Sequence, residues 1–307
     1  MTDKRLAVEL PGITLKNPIM PASGTFAFGV EHENEFDLNL LGALVTKTTT
    51  LEPREGNAWP QYAHGVASTL NAVGLRNPGV EAVLDEKLPA LAQKYPDLSV
   101  IASIAGETQA EYVELAKRIA TAPNVKAIEV NVSCPNVDKG GMEFGVDPVV
   151  VFELTQKIKR VVDLPIYVKL SPNVTNIALI AKAAEEGGAD ALVLINTLMS
   201  MRLDLNTRKP VLANRTGGLS GESVHPIAVR MVELVAKAVK IPVIGVGGVY
   251  TTDDALELMM AGASAIQVGT ANYDDNQTMP NIISELPDAL TKYGFDKVTE
   301  VTNSLEG

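Results

Sequence analysis

The feature that most constrains this chain is the recurrence of eight short β-rich segments: Asn17–Met20, Ala43–Lys47, Ser99–Ser103, Ala127–Asn131, Pro165–Lys169, Ala191–Ile195, Pro242–Val246 and Ala265–Gly269. Several are continuous apolar runs rather than alternating ones, the pattern of strands covered on both faces in a parallel sheet. Helical spacing of apolar residues separates most of them. Tyr112, Leu115, Ala116 and Ile119 recur through Thr108–Ala120, and Val151, Leu154, Ile158 and Val161 through Val149–Val162. The same reading holds for Ala178–Glu186, Pro226–Val239, Asp253–Met260 and Pro280–Tyr293, with Gly187-Gly188 and Gly262 as C-terminal stops.

Strand–helix alternation sustained over 307 residues predicts the α/β class and a (β/α)8 TIM barrel, one domain over residues 1–307. The competing open, doubly wound sheet should lead its first strand into a glycine-rich dinucleotide turn, and Pro21-Ala-Ser-Gly-Thr25 is no such turn. No linker, solenoid-length repeat or low-complexity tract divides the chain.

Composition narrows the function. The chain is 46% hydrophobic and 21% charged, and 26 Lys and Arg against 37 Asp and Glu leave a formal charge of −11. That balance supports a large core and disfavours nonspecific nucleic-acid binding, so an anionic ligand needs a local positive site. No apolar stretch approaches the roughly 18 residues that span a bilayer, and a cytoplasmic protein without membrane attachment is expected. Cys134 is the only cysteine, which excludes an internal disulfide and a thiolate-held cluster or zinc built by this chain alone. His32, His64 and His225 are too scattered for a local metal motif, and no metal is expected.

Barrel enzymes place their sites at the C-terminal ends of the strands, where two segments here read as long and irregular, Thr50–Gly65 and Leu198–Ser220. Polar residues interrupt the strand ends at that rim: Lys47 on the second, Asn131 on the fourth, Lys169 on the fifth, and Asn196-Thr197 after the sixth. One such lysine is as readily explained by a glutamate partner or by snorkelling, but two at matching positions favour a bound anion or a polarised carbonyl. Gly245-Val-Gly247-Gly248 and Gly269-Thr270 close the seventh and eighth strands ahead of helices, where backbone N–H groups cradle phosphate; either alone reads equally as an ordinary turn. Cys134, in Asn131-Val-Ser-Cys-Pro-Asn136, reads either as a small buried hydrophobe or as a nucleophile or proton acceptor on the rim.

Taken together, Asn17-Pro-Ile-Met-Pro-Ala-Ser-Gly24, Thr46-Lys-Thr-Thr49, Asn71-Ala-Val-Gly-Leu75, Asn131-Val-Ser-Cys-Pro-Asn136, Val168-Lys-Leu-Ser-Pro-Asn173, Thr216-Gly-Gly-Leu-Ser-Gly221 and Gly245-Val-Gly-Gly248 resemble the dihydroorotate dehydrogenase family. The resemblance runs from about Leu6 to the C-terminal helix in the family's order. It implies an FMN-containing barrel that oxidises dihydroorotate to orotate in pyrimidine biosynthesis. Cys134 then resembles the base that takes the C5 proton while the C6 hydride goes to the flavin. Lys47, Asn71, Ala72, Val73, Gly74, Leu75, Asn131, Asn196 and Thr197 correspond to the orotate-binding set, an ammonium and amides suited to a carboxylate and ring carbonyls.

By the same resemblance, Lys169 lies beside the flavin N1/O2 edge. Ser23, Gly24, Lys47, Thr48, Ser103, Asn131 and Ile195 belong to the flavin contacts, and Gly221, Gly247, Gly248, Gly269 and Thr270 hold its phosphate arm. Ser103 departs from the family, which usually carries Asn there. Membrane-linked members use a serine base and an N-terminal extension, so the cysteine and the start at Met1 are read as marks of a soluble member. Among these, Val168–Val174, Ile195–Asp204 and Pro210–Asn214 resemble the NAD-linked type, a homodimeric FMN core served by a partner subunit carrying FAD and [2Fe–2S]. A self-sufficient fumarate-dependent homodimer is the alternative. From other classes, a Schiff-base barrel aldolase using Lys47 or Lys169 and a non-catalytic phosphate-binding barrel stay open.

Overall fold

In the computed structural model, which describes residues 3–133, 135–136 and 142–306, all eight expected segments form strands. They are β1 (Ile19–Pro21), β2 (Leu44–Val45), β3 (Val100–Ile104), β4 (Val125–Asn131), β5 (Ile166–Lys169), β6 (Ala191–Leu194), β7 (Val243–Val246) and β8 (Ala265–Val268). They pair in parallel in the order β1-β8-β7-β6-β5-β4-β3-β2. The ring closes between its end strands, where the Gly42 N–H donates to the Ile19 carbonyl at 2.9 Å. Closure needs that glycine, since a Cβ there would lie 2.2 Å from the Asn17 carbonyl oxygen. This is the (β/α)8 barrel.

Four of the crossover helices start at a side-chain cap that satisfies free N–H groups, while His225–Ala236 has none. Thr108 caps Gln109–Ile119, Asp147 caps Pro148–Lys159, Asn176 caps Ile177–Glu186, and Thr251 with Asp254 forms a capping box on Thr252–Met260. Most of the faces turned inward are those expected from the spacing, with Tyr112, Leu115, Ala116 and Ile119 fully buried, but Val161, expected inward, lies exposed past the end of Pro148–Lys159, and Val162 is buried instead. The barrel floor is closed by the hairpin Val8–Leu10/Ile13–Leu15, whose Pro11 carbonyl accepts the Tyr167 hydroxyl at 2.6 Å. Desolvation pushes that phenol well above its ordinary ionisation range. Among the described residues no helix is long and apolar enough to cross a membrane.

Two readings need correction. The segments Thr50–Gly65 and Leu198–Ser220 are not wholly irregular: Tyr62–Gly65, Ser68–Asn71, Gly217–Ser220 and Leu198–Ser200 form a four-stranded antiparallel sheet over the mouth. Its strands are three or four residues long and partly glycine; Tyr62–Gly65 and Ser68–Asn71 form a hairpin, and Gly217–Ser220, distant in sequence, joins it to Leu198–Ser200, so no local period announces the sheet. The other correction is a helical run between β2 and β3, Gly79–Ala82, Val83–Lys87 and Leu88–Lys94, whose middle turn is a wide i→i+5 turn. Its buried residues Val80, Val83, Leu88 and Leu91 are spaced 3, 5 and 3 apart, and the five-residue step breaks the 3.6-residue period.

Candidate functional site

Because successive strand residues face opposite ways, the inward positions of each strand come two apart, and the last of them meet at one rim. A cavity of about 490 Å³ opens there, between the C-terminal strand ends and the overlying sheet. The structure brings together in its lining Ser23, Gly24, Lys47, Thr48, Asn71, Ala72, Val73, Gly74, Leu75, Asn131, Lys169, Ile195, Asn196, Thr197, Gly221, Gly247, Gly248, Gly269 and Thr270. Ser103 is placed elsewhere. It is fully buried one step behind the wall, its hydroxyl 2.9 Å from that of Thr48, and it supports Thr48 rather than lining the cavity. Cys134 lies outside the described residues.

On one side the polar groups are linked. Asn196 Nδ2 donates to Asn131 Oδ1 at 3.0 Å, and Asn196 Oδ1 accepts the Thr197 N–H at 2.8 Å, which fixes both amide orientations. The Tyr112 hydroxyl, 2.6 Å from the Asn131 carbonyl, anchors the end of β4 from behind. Asn173 bonds the Thr197 carbonyl at 3.2 Å and the Met199 N–H at 2.8 Å, holding the segment after β6. Lys47 leans over Gly24, where a Cβ would come within 3.4 Å of its Nζ.

On another side the backbone forms an anion cradle. The N–H groups of Gly247, Gly248, Gly269 and Thr270 donate to no acceptor among the described residues. His225 fixes part of this wall: its Nδ1–H donates to the Gly247 carbonyl at 2.8 Å. In a trans peptide the N–H points opposite the C=O, so the Gly248 N–H is turned away from His225. His225 Nε2 lies 3.2 Å from Glu257 Oε2 and 3.8 Å from Asp254 Oδ1, a grouping invisible in the sequence. Unpaired N–H groups at a strand–helix junction suit a phosphate.

Between the two sides stands Lys169, 4% exposed, its Nζ 3.1 Å from Ser23 Oγ. Beneath it are two residues that the sequence reading passed over, Glu129 and Gln267, both fully buried. The mouth carries Tyr62 and Tyr273, with ring centroids 6.5 Å apart. Desolvation holds the Tyr273 phenol above its ordinary range, a neutral donor to the Gly24 carbonyl at 2.7 Å. Tyr62 and Tyr273 gave no local signal because the overlying sheet and the short helix Ala271–Asp274 bring them to the mouth.

The cradle, the buried ammonium and the amide set fit a phosphate-bearing flavin with a small planar anion against it. The family model described as dihydroorotate dehydrogenase matches residues 5–290. A dihydroorotate dehydrogenase B (NAD(+)) catalytic subunit of Anoxybacillus flavithermus is 57% identical over 298 residues, 97% of this chain and 95% of its own. Another, from Enterococcus faecalis, is 53% identical over 301 residues, 98% and 96%. A protein of Pediococcus pentosaceus with the provisional name dihydroorotate dehydrogenase A (fumarate) is 56% identical over 300 residues, 97% and 99%.

Proposed function

This chain belongs to the dihydroorotate dehydrogenase family, and we propose that it is the FMN-bearing catalytic subunit of the NAD-linked type, oxidising (S)-dihydroorotate to orotate in pyrimidine biosynthesis. The observation that carries this reading is the single cavity in which an ammonium and amide set faces a cradle of unpaired N–H groups, with a buried lysine between. FMN, when bound, supplies the hydride acceptor that side chains lack. Gly221, Gly247, Gly248, Gly269 and Thr270 would hold its phosphate arm, and Ser23, Gly24, Thr48, Ile195 and Lys169 its ring.

The chain's own residues do the rest. Lys47 pairs with the substrate carboxylate, and Asn71, Asn131, Asn196 and Thr197 hold the ring carbonyls and ring N–H groups, fixing the ring against the flavin. Cys134, by its match to the family base, takes the C5 proton as thiolate. Lys169 offsets the negative charge that arrives with the hydride. A Schiff-base role for Lys169 is disfavoured by its placement, since its Nζ is engaged by Ser23 Oγ at 3.1 Å and Gln267 Oε1 at 3.3 Å.

Within the NAD-linked reading, one count assigns the cluster to a partner. A [2Fe–2S] cluster needs about four thiolates, and this chain has one cysteine, so electrons bound for NAD pass through a partner that brings cluster and FAD to a homodimeric core of this chain. The purified chain is expected to reduce its own FMN with dihydroorotate yet make NADH poorly, and the partner subunit should restore NADH formation. Efficient NADH production by the chain alone would contradict this. The Pediococcus relative supports a second reading, direct use of fumarate; rapid multiple turnover with fumarate and no partner would favour it.

A further inference from the structure

Barrel interiors are filled by layers of side chains dominated by branched apolar residues. Directly beneath the cavity one layer departs from that rule, because Glu129 on β4, Lys169 on β5 and Gln267 on β8 meet there. Gln267 Nε2 donates to Glu129 Oε2 at 2.7 Å, which ties the amide nitrogen to the carboxylate and leaves Gln267 Oε1 facing Lys169 Nζ at 3.3 Å. Glu129 Oε1 has no hydrogen-bond partner among the described residues and sits 3.6 Å from the same ammonium. A fully buried carboxylate with one oxygen left to a single cation is costly to maintain as a packing element alone. Lys169 reaches the other way, to Ser23 Oγ on the cavity wall.

We propose that Glu129 and Gln267 are positioning residues that aim Lys169 at the flavin and set how much of its charge the flavin experiences. The inference rests on the reading that Lys169 lies beside the flavin ring. Gln267 and Ser23 fix the direction of the ammonium. Glu129, on the side away from the cavity, offsets part of its field, and in a dry interior that offset acts strongly at short range. The brace therefore tunes the balance between oxidised and reduced flavin rather than binding substrate.

The test is the midpoint potential of FMN in the loaded full-length chain, measured anaerobically against a reference dye. Glu129→Gln removes the offsetting charge and should favour reduced over oxidised FMN by about tenfold, a rise of about 30 mV for a two-electron couple. Glu129→Leu removes the same charge without leaving an amide in its place and should raise the potential by a similar factor, so it decides the matter if Glu129→Gln does not fold. Lys169→Met separates the two claims: if it leaves the potential unchanged, the placement of Lys169 beside the flavin fails, whereas a shift there with none in the brace variants overturns only the role of Glu129 and Gln267. A fall in potential for Glu129→Gln would also overturn it. Loss of stability without a change in potential would mark the pair as structural.

Discussion

Replacing Cys134 with alanine is expected to leave FMN bound and to slow its reduction by dihydroorotate by about 10²- to 10⁴-fold, the range for losing a general acid–base group. The residues proposed to hold the cofactor come from β1, β2, β5, β6, β7, β8 and the backbone that follows them, and residue 134 is not among them. The effect should therefore fall on the rate of flavin bleaching in a single turnover and not on flavin content. The pH profile gives a second readout. A free thiol ionises near about 8.5, the thiolate is the proton acceptor, and the reduction rate of the unmodified chain should climb with pH through that region. Cys134→Ser should retain slow activity with its rise displaced to higher pH. Near-normal bleaching by the alanine variant would remove Cys134 from the base role.

Replacing Lys47 with alanine should weaken orotate binding by about 10²-fold, read from the perturbation of the flavin spectrum on titration. A hydrogen bond to a charged partner contributes roughly 1.5–3 kcal/mol, and the upper part of that range, about 2.7 kcal/mol, is a hundredfold in affinity. The upper part applies because the ammonium sits inside a concave wall over Gly24, where water screens it poorly. Lys47→Arg keeps the charge but brings a planar fork into space fitted to a point charge, so only part of the affinity should return. An unchanged orotate affinity in the alanine variant would move the carboxylate contact to another residue.

The barrel strands were legible because burial on both faces selects continuous apolar runs, as in Ala191-Leu-Val-Leu-Ile195, and because glycine and caps punctuate the helices between. The sheet over the mouth was not, since Gly217–Ser220 owes its conformation to Ser68–Asn71 and Leu198–Ser200, and Tyr62–Gly65 to Ser68–Asn71, rather than to local preference. Much of the site was readable from polar residues at strand ends; Lys47, Asn131, Lys169 and Asn196 line one cavity.

Glu129 and Gln267 were within reach of the same reasoning. Glu129 stands two residues before Asn131, and Gln267 two before Gly269, so strand alternation turns each to the inward face. Their segments otherwise read as apolar runs, which hides both residues. Ser103 shows the reverse case, in which a family correspondence places a residue at the cofactor while the local hydrogen bond to Thr48 sets it one layer back. His225, Asp254 and Glu257 meet only because the helices after β6 and β7 pack together, which no spacing along the chain encodes.

The most direct test is an anaerobic visible spectrum of the purified chain before and after dihydroorotate is added. The account predicts flavin absorbance that bleaches on addition and returns when an acceptor is supplied through the partner subunit. Flavin that stays oxidised in excess dihydroorotate would contradict the substrate assignment. A chain that neither carries FMN nor takes it up would contradict the redox function itself.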